Sequence, residues 1–316
     1  MGMLGLVVVA LTIGSPPYEL PATLTLPDGD GPFPAVVLVH GSGPLDRDET
    51  IGGTTLFADL ADALAHRGIA SLRYDKRTFV YGDTLTNDLT LDTEVIDDAI
   101  AAVHALQARP EIGAVTVAGH SLGGMLAPEI AARAGQVAGV VALAPPARPP
   151  LEILRDQLHT LGASRDALAP VEAAIAATLL PAIADDPMLR VMGMPLAYWR
   201  DWEAHDGVAA ARAWKRPLLV LQGDRDWQVT RADFTRYQRG VRGCTCVVLA
   251  GDDHTFTRRA ASRVDPNVVE QLVHFIGRLR RAPRRSSRRA PPARHRCLRA
   301  PGRAAAAWSP RPRAAA

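Results

Sequence analysis

The sequence predicts an α/β protein in which a mostly parallel central sheet is flanked by helices on both faces. From about residue 7 to residue 279, short apolar runs alternate with segments of helical periodicity, which is typical of parallel β-α units. Some runs, such as residues 35–39, are wholly apolar, as expected of central strands covered on both faces. The composition is 47% hydrophobic and 22% charged over 316 residues, which excludes fibrous and wholly disordered proteins.

The elements follow one another with little interruption. The apolar run at residues 3–13 is too short to cross a bilayer and rich in β-branched residues, so it predicts a first strand. Further strands are predicted at residues 20–26, 35–39, 69–74, 115–118, 137–143, 218–222 and 245–250. Helices are predicted at residues 56–64, 95–106, 125–134 and 267–279.

One long segment breaks this alternation. Residues 147–214 separate two predicted strands, are helical in pattern and contain three of the five tryptophans. A connection of more than 60 residues is far longer than usual, so we predict a helical cap inserted over an active site. The alternative is a peripheral helical excursion with no role in substrate binding.

The charge of the chain is divided between two regions. Residues 280–316 carry twelve Arg and no Asp or Glu, which leaves 24 Lys and Arg against 33 Asp and Glu in residues 1–279. We therefore predict an acidic folded α/β domain over residues 1–279 and a disordered Arg/Pro/Ala-rich tail over residues 280–316. The overall net charge of +3 arises from the tail, because residues 1–279 alone carry a net negative charge. We therefore expect that the folded part neither binds nucleic acid nor attaches to a membrane.

The next features of the sequence concern the location of the protein in the cell and its oligomeric state. The three cysteines have no zinc-site spacing and are interpreted as thiols, which fits the cytoplasm. The first positive charge is Arg47, whereas a signal peptide has a basic start, so secretion is the minority alternative. The sequence does not indicate an oligomeric state.

The segment Gly119-His-Ser-Leu-Gly123 carries the strongest chemical signal. It lies between a predicted strand and a predicted helix, which is the context of a nucleophile elbow. Such a turn exposes a serine hydroxyl above the carboxyl end of the sheet, so Ser121 is the predicted nucleophile. His120 is expected to point away from it.

A serine hydroxyl becomes a strong nucleophile only when a base removes its proton, and that base must be oriented by an acid. Asp226 and His254 each follow a predicted strand, in the chain order Ser, Asp, His. Asp224 is the main rival for the acid, whereas Asp252 and Asp253 are interpreted as turn formers.

Two backbone amides are needed to stabilise the oxyanion that acyl transfer forms. The Leu122 amide follows the nucleophile at the start of a helix. The Ser42 amide belongs to His40-Gly-Ser-Gly-Pro44, directly after the strand at residues 35–39. We predict these two amides as the oxyanion hole.

The motifs together resemble the α/β-hydrolase superfamily. They are His40-Gly-Ser-Gly-Pro44 with Asp46-Arg-Asp48, Leu72-Arg-Tyr-Asp-Lys-Arg77, Gly119-His-Ser-Leu-Gly-Gly124 and Gln222-Gly-Asp-Arg-Asp226 with Val229. A narrower resemblance is to bacterial serine esterases related to dienelactone hydrolases and the prolyl-oligopeptidase catalytic domain, over about residues 13–279. The resemblance implies Asp226 rather than Asp224 as the acid and His254 as the base.

The chain also departs from these relatives. Dienelactone hydrolases proper use a cysteine nucleophile where this chain has Ser121. The charges of Asp75 and Arg77, within one of the motifs, are interpreted as a local ion pair.

The predicted activity is hydrolysis of small-molecule carboxylic esters with a short or medium acyl group. No metal and no organic cofactor is expected. An acyltransferase, a thioesterase or a peptidase could use the same triad, because the fold does not choose among them. A non-catalytic hydrolase-like binding protein is the second alternative.

Overall fold

A twisted eight-stranded sheet forms the centre of residues 1–282, which are one compact unit. The computed structural model describes residues 5–85, 89–179, 189–258 and 261–281. Nearly all of the predicted tail, from residue 282 onward, lies outside the described residues. The strands are β1 Leu6–Ser15, β2 Tyr18–Pro27, β3 Phe33–Val39, β4 Ala70–Tyr74, β5 Ile112–His120, β6 Val137–Leu143, β7 Leu218–Gly223 and β8 Thr245–Leu249.

The strand order is β1-β2-β4-β3-β5-β6-β7-β8. The first strand pairs antiparallel with β2, and β2 pairs antiparallel with β4. Every other pair in the sheet is parallel. The prediction of a mostly parallel sheet is therefore confirmed, and the apolar run near the N-terminus is its antiparallel edge strand.

Helices cover both faces of this sheet. In chain order, the described α-helices are α1 Leu56–Ala65, α2 Arg77–Tyr81, α3 Asp97–Gln107, α4 Leu122–Ala134, α5 Pro150–Thr160, α6 Arg165–Thr178, α7 Leu196–Ala204, α8 Gly207–Trp214, α9 Arg231–Gly240 and α10 Pro266–Arg281. A π-helical turn at Asp92–Ile96 precedes α3.

Successive side chains of β3 pack into two different hydrophobic cores, one on each face of the sheet. Val37 packs in one cluster with side chains of α3 and α4. Val36 and Leu38 pack in the other with side chains of α1 and α10. Because successive side chains of a strand point to opposite faces, a wholly apolar strand is what a sheet covered on both sides requires.

The segment between β6 and β7 folds into helices α5 to α8. A short antiparallel pair, Arg190–Val191 with Met194–Pro195, lies between α6 and α7. Trp199 and Trp202 of α7 stack with ring centroids 5.6 Å apart. No described helix is both long enough and apolar enough to cross a membrane.

Candidate active site

Ser121 occupies a sharp turn between β5 and α4. Its φ of 51° and ψ of −118° lie in a region that non-glycine residues rarely adopt. The Ser121 amide donates to the Leu143 carbonyl of β6, 2.8 Å away, which helps to hold this geometry. A strained backbone at the end of a central strand is the feature that the G-x-S-x-G pattern predicted.

The flanking glycines allow the helix to approach the sheet closely. A Cβ atom on Gly119 would overlap the carbonyl oxygen of Gly123, and one on Gly123 would overlap that of Val39. Both obstacles are backbone atoms of neighbouring elements. Only glycine at these positions permits this turn.

The close approach of α4 to β3 leads to a testable prediction about Gly123. Gly123→Ala should push α4 away from β3, lower the free energy of unfolding by about 1–3 kcal/mol and reduce activity, because the shift displaces Ser121. Thermal unfolding and initial rates would measure both effects.

Gly277→Ala in α10 is the matched control, since nothing lies within 4 Å of the added Cβ. Alanine there should raise stability by up to about 1 kcal/mol with unchanged activity, because alanine is the better helix former. An equally harmless Gly123→Ala would contradict the packing account.

Asp226 and His254 are joined directly. The Nδ1 atom of His254 lies 2.8 Å from Asp226 Oδ2, and both side chains are buried. Asp226 Oδ2 also accepts from Gln222 Nε2 at 2.8 Å, and its Oδ1 accepts from the Gln228 and Val229 amides, each at 2.9 Å. Four donors fix the carboxylate, and a His254 tautomer protonated on Nδ1 would donate to it and keep Nε2 as an acceptor.

The Ser121 hydroxyl makes no hydrogen bond to the His254 ring among the described residues. The two loops are adjacent, because the ring of His120, the residue before Ser121, lies 4.7 Å from that of His254.

The other candidate acids lie elsewhere. Asp224 is exposed and accepts from the Gly251 amide, without contacting His254. Asp253 accepts from the Thr255 and Thr257 amides and so forms a turn, as predicted. Asp252 is buried near Arg258, at 3.6 Å.

The two predicted oxyanion donors follow β5 and β3, each in the turn after its strand. Leu122 begins α4, and Ser42 follows β3 in the loop that lines the same cavity as Ser121. Among the described residues, neither amide donates to a protein acceptor. Both N–H groups therefore remain available to a bound group.

That cavity has a volume of about 660 Å³. Its wall combines Ser42 and Ser121 with apolar side chains of the 147–214 segment. These are Ile153, Leu154, Met192, Met194, Trp199 and Trp202. Side chains of the insertion thus line the cavity that contains the predicted nucleophile.

A buried pair that sequence reasoning missed lies behind the nucleophile. The Glu49 carboxylate is fully buried and lies 3.0 Å from His120 Nδ1, while His120 Nε2 lies 2.9 Å from the His254 carbonyl. Burial alone would lower the pKa of His120, but the Glu49 carboxylate raises it. Burial would raise the pKa of Glu49, but His120 and the Gly41 amide lower it. The pKa of His120 is raised and that of Glu49 is lowered, which favours the charged pair, and His120 Nε2 holds the backbone carbonyl of His254.

The sequence offered only an indirect signal for this pair. Glu49 directly follows the Asp46-Arg-Asp48 motif, and His120 lies inside the nucleophile motif. The prediction that His120 points away from the catalytic hydroxyl fits its two partners.

The interpretation of Asp75 and Arg77 as a local ion pair is wrong. Asp75 instead pairs with Arg47, at 2.6 Å, and Arg77 pairs with Asp98, also at 2.6 Å. The two side chains diverge where β4 ends and α2 begins, so each finds a partner distant in sequence.

No group of three or more His, Cys, Asp or Glu side chains is arranged to hold a metal ion within the described ranges.

Comparisons with known proteins agree with this architecture. The chain is 46% identical over 235 residues to Esterase EstD of Thermotoga maritima, an alignment that covers 74% of this chain and 57% of that protein. It therefore spans little more than half the length of this curated relative.

Solved structures match over a larger share of the chain. Est1E from Butyrivibrio proteoclasticus superposes with a TM-score of 0.62 at 19% identity, covering 86% of this chain and 99% of that one. A dienelactone hydrolase from Anabaena variabilis gives 0.54 at 18% identity, covering 86% and 98%. At these identities the likeness concerns the fold.

A family model described as the alpha/beta hydrolase family matches residues 36–307, most of the chain. The sheet order, the turn at Ser121 and this match agree with the resemblance seen in the motifs. The chain therefore belongs to the alpha/beta hydrolase family.

Proposed function

We propose that this protein hydrolyses small-molecule carboxylic esters through Ser121, His254 and Asp226. The observation that carries the proposal is the buried His254–Asp226 hydrogen bond, in a loop that contacts His120 beside the strained turn at Ser121, which lines a cavity. The 46% identical relative, named an esterase, supports the same reaction.

The proposed reaction has two halves. Ser121 Oγ attacks the ester carbonyl while His254 Nε2 takes its proton, and the resulting oxyanion accepts from the Ser42 and Leu122 amides. His254 then gives the proton to the leaving alcohol, and an acyl-enzyme remains.

Water completes the cycle. His254 takes a proton from the water that attacks the acyl-enzyme, and returns it to Ser121 as the carboxylic acid leaves. Asp226 holds the histidine and stabilises its positive charge in both halves. The cycle uses no metal and no organic cofactor.

The cavity supports a short or medium acyl group. A volume of about 660 Å³ is in the usual range for small-molecule sites, and the mainly apolar side chains that the insertion contributes, beside Gln157 and Arg190, favour a hydrocarbon acyl group. We therefore assign residues 147–214 the role of a cap that bounds this cavity.

A series of p-nitrophenyl esters from acetyl to palmitoyl tests the proposal. We expect kcat/KM to be highest for short or medium acyl groups and to fall for long ones, because the cavity is bounded. Leu154→Ala should move the preference towards longer chains by enlarging the cavity.

Leu161→Ala is the control, since Leu161 lies in the same insertion but is 66% exposed. It should leave the chain-length profile unchanged. Absence of turnover on every ester would contradict the proposed function and favour a peptidase, a thioesterase or an acyltransferase.

A cytoplasmic location remains a prediction, supported by the low cysteine content. Activity in a cytoplasmic rather than a secreted fraction of the native host would test it.

A further inference from the structure

Lys76 is a lysine with almost no contact with solvent. Its relative exposure is 2%, although it follows β4 in the Leu72–Arg77 motif, where a charged residue would ordinarily be solvated. A buried ammonium group needs acceptors. The two hydrogen-bond acceptors of this ammonium group show which parts of the structure Lys76 holds in place.

The first acceptor is the carbonyl oxygen of Gly41, 3.0 Å from Lys76 Nζ. Gly41 directly precedes Ser42, so this carbonyl belongs to the same peptide unit as the Ser42 amide. That peptide is trans, and in a planar trans peptide the C=O and the following N–H point in opposite directions. Holding the carbonyl therefore also fixes the direction of the Ser42 N–H.

The Ser42 end of this peptide borders the cavity, and the Lys76 ammonium group contacts its carbonyl end. Ser42 and Ser121 line the cavity, whereas Lys76 is not among its lining residues. Because the ammonium group holds the Gly41 carbonyl, the Ser42 N–H points away from Lys76.

The second acceptor is Glu94, whose Oε1 lies 2.8 Å from Lys76 Nζ. Glu94 is 3% exposed and lies in the π-helical turn at Asp92–Ile96. Its other oxygen accepts from the Tyr198 hydroxyl of α7 at 2.7 Å. Glu94 balances the lysine charge and connects it to the insertion.

The amide side of Gly41 is held as well. Its N–H donates to Glu49 Oε1 at 2.7 Å. The Lys76 backbone amide also donates to the Leu45 carbonyl of the same loop, 3.1 Å away. The loop is thus fixed from both sides, and Lys76 is the contact that acts on the Ser42 peptide.

We propose that Lys76 is a positioning residue of the oxyanion hole, which holds the Gly41 carbonyl so that the Ser42 amide faces the cavity, with Glu94 as its counter-ion. The inference rests on the proposed function, because it assumes that an oxyanion forms beside Ser121. The competing explanation is that the Lys76–Glu94 pair only stabilises the fold.

The test compares two buried ion pairs. Lys76→Met combined with Glu94→Gln removes both charges together, so that neither is left unpaired, and the new amide oxygen can still accept from Tyr198. The matched control is Arg77→Met combined with Asp98→Asn. That pair is similarly buried, with side chains 12% and 3% exposed, but it makes no hydrogen bond to Gly41.

The readout is the rate of Ser121 modification by a fluorophosphonate, whose phosphoryl oxygen takes the place of the oxyanion. We expect the Lys76 double variant to react about 10- to 100-fold more slowly than wild type, as misplacement of a catalytic group does. Its kcat on p-nitrophenyl butyrate should fall similarly at unchanged KM. The Arg77 double variant should keep the wild-type rate even if both variants lose similar stability in thermal unfolding.

Single variants keep the test decisive. Lys76→Arg retains a cation and donors and should react faster than the Lys76 double variant. If the double variant does not fold, Lys76→Gln takes its place, with the same slowing expected. Reaction at the wild-type rate without Lys76, or equal slowing by the Arg77 control, would overturn the proposal. Labelling of a wild type that hydrolyses no ester would contradict the proposed function but leave this comparison readable.

Discussion

Ser121→Ala should lower kcat/KM for a short acyl ester by on the order of 10⁴–10⁶-fold, as loss of a triad nucleophile does in other serine hydrolases. Without the hydroxyl no acyl-enzyme forms, and the remaining amides can only bind the carbonyl. The fold should be unaffected, because the Ser121 contacts that hold the turn are made by its backbone. Initial rates and far-ultraviolet circular dichroism measure the two effects.

Ser71→Ala is a suitable control for this substitution. Ser71 is fully buried in β4, and its hydroxyl has no hydrogen-bond partner among the described residues. Activity should remain at the wild-type level. Substantial turnover by Ser121→Ala on the same ester would mean that another residue attacks the substrate.

Asp226→Asn should lower kcat by on the order of 10⁴-fold, the effect of the same change in other Ser-His-Asp enzymes. One side-chain atom of Asp226 accepts from two backbone amides, so the asparagine oxygen would stay there. The new NH₂ group would then face His254 Nδ1, which could no longer donate. The histidine would keep its proton on the wrong nitrogen, and Nε2 would lose its role as the base.

Asp224→Asn is the matched control, two residues earlier in the same loop. Asp224 is exposed and accepts from the Gly251 amide, a bond that an asparagine oxygen preserves. Its kcat should not change. A loss at Asp224 as large as that at Asp226 would reverse the assignment of the acid.

Much of the fold follows from local patterns in the sequence. The boundaries of β6 at Val137–Leu143 coincide with the prediction, because the run is apolar throughout and ends at a loop. β5 begins at Ile112, three residues before the predicted start, where Ile112 pairs with Phe33 of β3. Such pairing depends on a neighbouring strand, so periodicity along one strand does not reveal it.

The residues of the candidate site also fall into two groups, those that the sequence predicted and those that it did not. Ser121, Asp226 and His254 were predicted because each follows a strand in the order that the chemistry requires. Glu49, Lys76 and Glu94 were missed, because charged residues in a sequence are ordinarily read as solvated. Their burial depends on partners that are distant in sequence, such as His120 for Glu49. Only the folded chain brings those partners together.

The most direct test of the central claim is fluorophosphonate labelling of the intact protein, read by peptide mass spectrometry. The account predicts a single modified residue, Ser121, and loss of labelling when the protein is denatured first or when Asp226→Asn disables the base. Label on another residue, or no label on the folded protein, would contradict the assignment of Ser121 as an activated nucleophile.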